Sequence, residues 1–140
     1  MRVLLDTDVI LDFLLERMPF FPAASELLEL NANGTFDAYI SSITAINVFY
    51  IGRKVVGAIK IRQGIDDLLR LVRVTAVDRA SLIQALALPF TDYEDAVQHT
   101  SASAAGLDAI VTRNLSDYKN STLPAYSPAD FLNHLKHQQT

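Results

Sequence analysis

Apolar positions along the chain gather into five short runs, separated by stretches where apolar and polar residues recur with a helical period. Residues 2–6 form an apolar, partly β-branched run and predict a buried strand. Residues 37–41 predict a second strand, 73–77 an alternating third, 109–112 a fourth and 125–127 a short fifth. Helices fill the intervals. Thr7 or Asp8 can cap one that continues to about Glu16. Pro19 and Pro22 begin a second, which ends at the stop pair Asn33-Gly34. Ser42 can cap a third that runs toward Val56, Gly57 breaks it, and a further helix reaches about Leu71. Residues 79–88 are helical and stopped by Pro89. Asp92 can cap a helix to Ala105, ended by Gly106, and Pro128 opens a last helix in its first turn. Mostly buried strands alternating with helices predict a mostly parallel sheet covered on both faces, a three-layer α/β/α architecture. Ligands in such sheets bind beyond the carboxyl ends of the strands.

No repeat, low-complexity tract or linker interrupts the 140 residues, so residues 1–140 are read as one domain. Half of the residues are apolar, enough for a core without staples, and the absence of cysteine excludes disulfides and thiolate zinc sites. The opening run ends in Asp6, with Asp8 and Asp12 following, which does not fit a signal peptide. Charges interrupt every apolar stretch, so a soluble, cytoplasmic protein with no membrane partner is expected. The net charge of −4 is unlike that of a protein gripping nucleic acid through Lys and Arg. Carboxylates gathered around a metal ion lower net charge, however, without repelling phosphate once the ion is bound. The basic residues are also uneven: Arg53, Lys54, Lys60, Arg62, Arg70 and Arg73 crowd one stretch, which reads more simply as an exposed helical surface than as a binding patch.

Candidate chemistry lies at the strand ends. Asp6 ends the first strand; Thr112 ends the fourth, with Asn114 and Asp117 just after it. If these strands are neighbours, their ends converge on one crevice. Asp95 lies in the first turn of the helix capped by Asp92, which feeds the fourth strand; simple βα counting places the start of that helix away from the crevice. Three or four oxygen ligands of net negative charge suit Mg²⁺ or Mn²⁺. His99, His134 and His137 fall elsewhere, which argues against zinc or copper. His99 reads as a helix-surface or packing residue, and the two C-terminal histidines as solvated.

Four segments in order carry a family resemblance: Leu4-Leu5-Asp6-Thr7-Asp8-Val9-Ile10-Leu11-Asp12, Ile40-Ser41-Ser42-Ile43-Thr44-Ala45-Ile46-Asn47, Asp92-Tyr93-Glu94-Asp95-Ala96 and Ile110-Val111-Thr112-Arg113-Asn114-Leu115-Ser116-Asp117-Tyr118. Over nearly its full length the chain resembles PIN domains, close to the VapC-like toxin ribonucleases. The resemblance implies a five-stranded parallel sheet in which the Asp95 segment does reach the crevice. It implies acidic metal ligands at Asp6, Asp95 and Asp117 and a supporting hydroxyl at Thr112. Asn114 matches a position that is commonly Asp, and Asn47 one that is usually Glu, so two acidic positions carry amides here. The implied activity is Mg²⁺- or Mn²⁺-dependent hydrolysis of RNA, by a homodimer that an antitoxin protein occludes.

Simpler roles compete at each position. Asp6 could only cap the first helix, although Thr7 and Asp8 are better placed for that. Asp8 and Asp12 share a helix face; Asp12 reads as solvated and Asp8 as undecided. Asp95 could complete a capping box with Asp92. Asn47, one turn after Thr44 in an otherwise apolar helix, needs a buried partner, and both the crevice and a structural hydrogen bond supply one. Asn114 could be a turn residue. Arg113 is placed to touch phosphate and equally to pair with a local carboxylate. A phosphatase resembling the haloacid dehalogenases is a rival on Asp6-Thr7-Asp8-Val9, but it lacks a Gly-Asp acidic segment and offers only Lys119 nearby. A phospho-acceptor receiver, with Asp78 as acceptor, lacks its lysine. A catalytically weak PIN domain that binds RNA or a partner protein is a further alternative.

Overall fold

The computed structural model describes residues 1–138. In chain order the elements are β1 (Arg2–Leu5), α1 (Thr7–Leu14), α2 (Phe21–Ala32), β2 (Asp37–Ser41), α3 (Ser42–Val56), α4 (Ala58–Leu71), β3 (Arg73–Thr75), α5 (Arg79–Leu86), α6 (Tyr93–Ala104), β4 (Ala109–Val111), a 3₁₀ turn (Leu115–Tyr118), β5 (Ala125–Tyr126) and α7 (Pro128–Gln138). The five strands pair in parallel throughout, in the order β3-β2-β1-β4-β5. The expected five-stranded parallel α/β sheet, flanked by helices, is thus the observed one. Most boundary differences are small. α1 stops at Leu14 because Glu16 takes a positive φ of 51°. β3 stops at Thr75, short of residue 77, and Asp78 then caps α5 by accepting from the Ser81 N–H.

Strand side chains alternate between two apolar layers, as a period of two requires. Val3, Leu5, Ala38, Ile40, Ala109 and Val111 enter the larger core, shared with α1, α2, α3, α4 and α7. Leu4, Tyr39 and Ile110 enter a smaller one with Ala102 of α6 and Tyr118. Burial on both faces explains why the strands read as nearly continuous apolar runs. The same alternation fixes the direction of the last residue of β2 and β3 and of the residue just past β1 and β4. Thr75, Ser41, Asp6 and Thr112 follow the parity of the smaller layer, so they face α6 at the carboxyl edge of the sheet.

Gly57, with φ at +87°, separates α3 from α4, which fold against one another. Gly52 marks their close approach: a Cβ there would overlap Ile61 Cδ1 and lie 2.6 Å from its Cγ1. Ile61 is itself buried and has little room to give. Gly52→Val is therefore expected to cost about 1–3 kcal/mol of stability, read as a lowered melting temperature.

Candidate active site

The sheet edge and α6 together build a polar layer beneath an acidic cleft. Asp6 accepts from the Thr7 N–H at 2.7 Å, from Gln98 Nε2 at 2.8 Å and from Thr112 Oγ1 at 2.8 Å. Gln98 is fully buried. Its Oε1 accepts from Thr44 Oγ1 at 3.1 Å, which leaves the amide nitrogen for Asp6. Thr44 lies 3.0 Å from Thr7, and Thr75 lies 3.1 Å from Ser101 of α6. Buried polar groups of this kind stay only when each has a partner, and here the partners converge on Asp6.

Above this layer, a cleft of about 410 Å³ is lined by Asp6, Asp8, Asp92, Glu94, Asp95 and Asp117, with Asn47 and Asn114 beside them. Among the described residues, six carboxylates and no cationic side chain line it. Burial raises the Asp6 carboxyl against the opposing pull of its three donors. Burial, reinforced by the charge of Asp6, raises Asp8 to about 7. Burial, with Asp6 and Asp92 nearby, raises Asp95 to about 7 even though Tyr118 Oη donates to it at 3.2 Å. The Tyr118 hydroxyl is in turn held protonated by burial and by these acids. Asp8 Oδ2 accepts from the Arg113 N–H and from Asn114 Nδ2, whereas its buried Oδ1 meets no donor among the described residues. These are signs of negative charge gathered in excess, for the nearby Arg113 charge only partly offsets the rise at Asp8. Among the described residues no three carboxylates or histidines are preassembled into a metal-holding group. Yet an all-oxygen donor set with surplus negative charge suits a hard divalent cation, and an orphaned carboxylate oxygen is consistent with one.

The structure brings Asp6, Asp95, Asp117, Asn47 and Asn114 to this one cleft, with Thr112 directly beneath, bonded to Asp6. Four sequence expectations need correction. The helix carrying Asp95 begins at the crevice: α6 feeds β4 and runs antiparallel to it, so its first turn lies level with the carboxyl end of that strand. Asp6, not Thr7 or Asp8, is the N-cap of α1, so one carboxylate both caps the helix and faces the cleft. Asp12 is not solvated but 1% exposed, paired with Arg17 at 2.9 Å and Arg113 at 2.7 Å. Of the two C-terminal histidines only His137 is exposed; His134 is half-buried, tilted against Tyr126. Asp92 does cap α6, through the Asp95 N–H at 3.0 Å, and Asp95 turns its own carboxylate to Tyr118. Arg113 takes the local carboxylate, and His99 packs between Phe90 and Thr122. Gln98, Glu94 and Tyr118 were not singled out from the sequence. Gln98 was findable as a polar residue one turn beyond Asp95 on the same face; Tyr118 reads only as core.

These features are those of a known class. The profile of the PIN domain family matches residues 2–116, and the chain belongs to that family. No curated protein matches it. Among solved structures it is similar to VapBC2 from Rickettsia felis bound to a DNA fragment from its promoter, with a TM-score of 0.71 and 18% identity over 89% of this chain and 97% of that one. It is also similar to DNA-bound VapBC from Salmonella typhimurium, with a TM-score of 0.71 and 20% identity over 91% and 98% of the two chains. A third is VapC20 from Mycobacterium tuberculosis, a sarcin-ricin loop cleaving toxin, with a TM-score of 0.63 and 14% identity over 77% and 86%. At these identities the likeness is one of fold. The phosphatase rival finds no lysine in the cleft lining; Lys119 lies on a neighbouring pocket. The receiver rival calls for the strand order 2-1-3-4-5, not the one observed. No helix among the described residues is long and apolar enough to cross a membrane.

Proposed function

We propose that this protein is a divalent-metal-dependent endoribonuclease, the toxin of a toxin–antitoxin pair. The observation that carries the reading is the cleft at the strand ends, lined by six carboxylates and no cation. Asp6, Asp95 and Asp117 would hold Mg²⁺ or Mn²⁺, with Asn47, Asn114 and Thr112 in support. When bound, such an ion neutralises charge building on the phosphate oxygens and makes an attacking water more acidic. The chain's own residues orient and exclude. Gln98 and Thr112 fix both oxygens of Asp6, Tyr118 fixes Asp95, and the apolar layer beneath keeps bulk water from the back of the site. In-line hydrolysis leaves a 5′-phosphate and a 3′-hydroxyl. Incubating end-labelled single-stranded RNA with the purified protein in Mg²⁺ or Mn²⁺, with and without EDTA, tests this. Cleavage that EDTA abolishes is expected; cleavage indifferent to EDTA would refute it.

The partners proposed are an antitoxin protein and a second copy of the chain. An apolar groove between α3 and α4, lined by Ile46, Phe49, Tyr50, Ile65 and Leu69, supports a protein partner, and exposed Leu82, Ile83 and Leu86 on α5 support self-association. Arg53 and Arg62 of the basic stretch lie over Phe49, with Arg53 also over Tyr50, at the same groove.

Asn47→Glu is expected to tighten Mn²⁺ binding at least about tenfold. A carboxylate at roughly 4 Å from a divalent ion contributes on the order of several kcal/mol at an effective dielectric near 20, before desolvation and acid–acid repulsion. A tenfold gain requires only about 1.4 kcal/mol of that to survive. Asn47 lines the cleft and is half-buried, so Glu has room to reach it. Calorimetric titration beside melting curves checks this; weaker binding with a lower melting temperature would make Asn47 a structural residue.

A further inference from the structure

Phe20 and Arg113 form a flat platform beside the acidic cleft. The Arg113 guanidinium carbon lies 3.8 Å from the centre of the Phe20 ring, close enough only for a face-to-face arrangement. The guanidinium is pinned along its edge, Nε to Asp12 Oδ2 at 2.7 Å and Nη2 to Asp12 Oδ1 at 3.2 Å. Arg17 holds the same carboxylate at 2.9 Å, and the Phe20 N–H bonds back to the Arg17 carbonyl. The platform therefore rests on an ion triad whose carboxylate is buried and whose two guanidinium groups are half-buried. Phe20 nevertheless remains 40% exposed, at the edge of a groove of about 390 Å³ formed with Pro19, Ser127 and Pro128. A ring placed only to fill the core would be covered.

Charge and continuity say what the groove takes. One carboxylate answers two guanidinium groups, so the cluster carries a net positive charge beside a cleft lined with acids. The Arg113 N–H donates to Asp8 Oδ2, and Asn114, the next residue, lines the cleft, so platform and cleft are one continuous surface. A polyanionic strand leaving the cleft meets positive charge and a π face together. We propose that Phe20 and Arg113 form a stacking subsite for an unpaired nucleobase flanking the phosphate in the cleft, a proposal that rests on the nuclease reading for its substrate. Aromatic rings and guanidinium planes are the surfaces on which single-stranded bases stack, with little preference among bases.

The test compares two labelled RNA octamers by fluorescence polarisation, one of adenosine nucleotides and one with the same backbone lacking bases. Ca²⁺ replaces Mg²⁺, and strand integrity is checked on a gel. Wild type is expected to prefer the base-bearing strand about tenfold, and Phe20→Ala to bring the two affinities together. Phe20→Trp should keep the preference, and Ile59→Ala, at a position 89% exposed on α4, should match wild type. Phe20→Leu, which keeps apolar bulk without a π face, replaces the Ala variant if the latter melts early. No preference in wild type, or a preference surviving in Phe20→Leu, overturns the subsite. A wild type that discriminates the strands yet cuts no RNA in Mg²⁺ or Mn²⁺ retains the subsite and refutes the nuclease reading. A wild type that cuts RNA while Phe20→Leu keeps the preference refutes the subsite alone.

Discussion

Asp95→Asn is expected to slow cleavage of single-stranded RNA at least about a hundredfold, without unfolding the protein. The Asn oxygen can still accept from Tyr118 Oη, and Asp92 caps α6 through the residue-95 backbone, so neither local contact depends on the lost charge. What the variant loses is one of the carboxylates facing the cleft, and with it part of the attraction for a divalent ion. Removing residues that merely orient metal ligands typically costs 10–100-fold, so losing a ligand itself should cost no less. Single-turnover cleavage at saturating Mn²⁺ checks the rate, and circular dichroism checks the fold. A variant as fast as wild type, after contaminating nuclease is removed, would place the chemistry elsewhere.

The metal-free protein is expected to lose stability as pH rises from 5 to 8. Asp8 and Asp95 have carboxyls raised from 3.8 to about 7 by burial, so the folded state keeps their protons after the unfolded chain has released them. Between about pH 4 and 7 the folded state therefore binds more protons, and stability falls as pH climbs through that window. Each shift is worth on the order of 4 kcal/mol taken alone, and solvent entering the cleft reduces this to roughly 1–3 kcal/mol. For a chain of this size that is a melting temperature lower at pH 8 by about 5–10 °C. His99, lowered by burial, acts in the opposite sense below about pH 6.5. The clean comparison is therefore with Asp95→Asn, which should melt higher than wild type at pH 8 and show a flatter pH profile. Mn²⁺ at pH 8 should raise the wild-type melting temperature and leave the variant nearly unmoved. A wild type that grows more stable from pH 5 to 8, in step with the variant, would mean the cleft acids are not frustrated.

Much of the fold was legible because its signals are local. Val3-Leu4-Leu5 and Ala109-Ile110-Val111 are apolar without a break because both faces of the sheet are covered. Gly57, Gly106 and Pro128 mark helix ends through backbone geometry alone. The candidate site was legible where residues end strands, as Asp6 and Thr112 do. It was lost where tertiary contact reverses a local expectation. Asp12 looks solvated on its own helix, and its burial becomes tolerable only when Arg113, about a hundred residues away, joins Arg17 on its carboxylate. Nothing local to Gln98, Thr100 and Ser101 marks them for burial, yet all are buried, because Asp6, Ser81 and Thr75 supply their partners. The misplaced start of α6 was an error of counting, not of signal: a helix that feeds a parallel strand begins level with that strand's end.

On the proposed reading, the acids of the cleft hold a divalent ion. Anomalous diffraction from crystals soaked in Mn²⁺ tests it most directly. A peak within ligand distance of Asp6, Asp95 and Asp117 is expected. A protein that takes up no Mn²⁺ at this cleft, or takes it up only away from those three carboxylates, would contradict it.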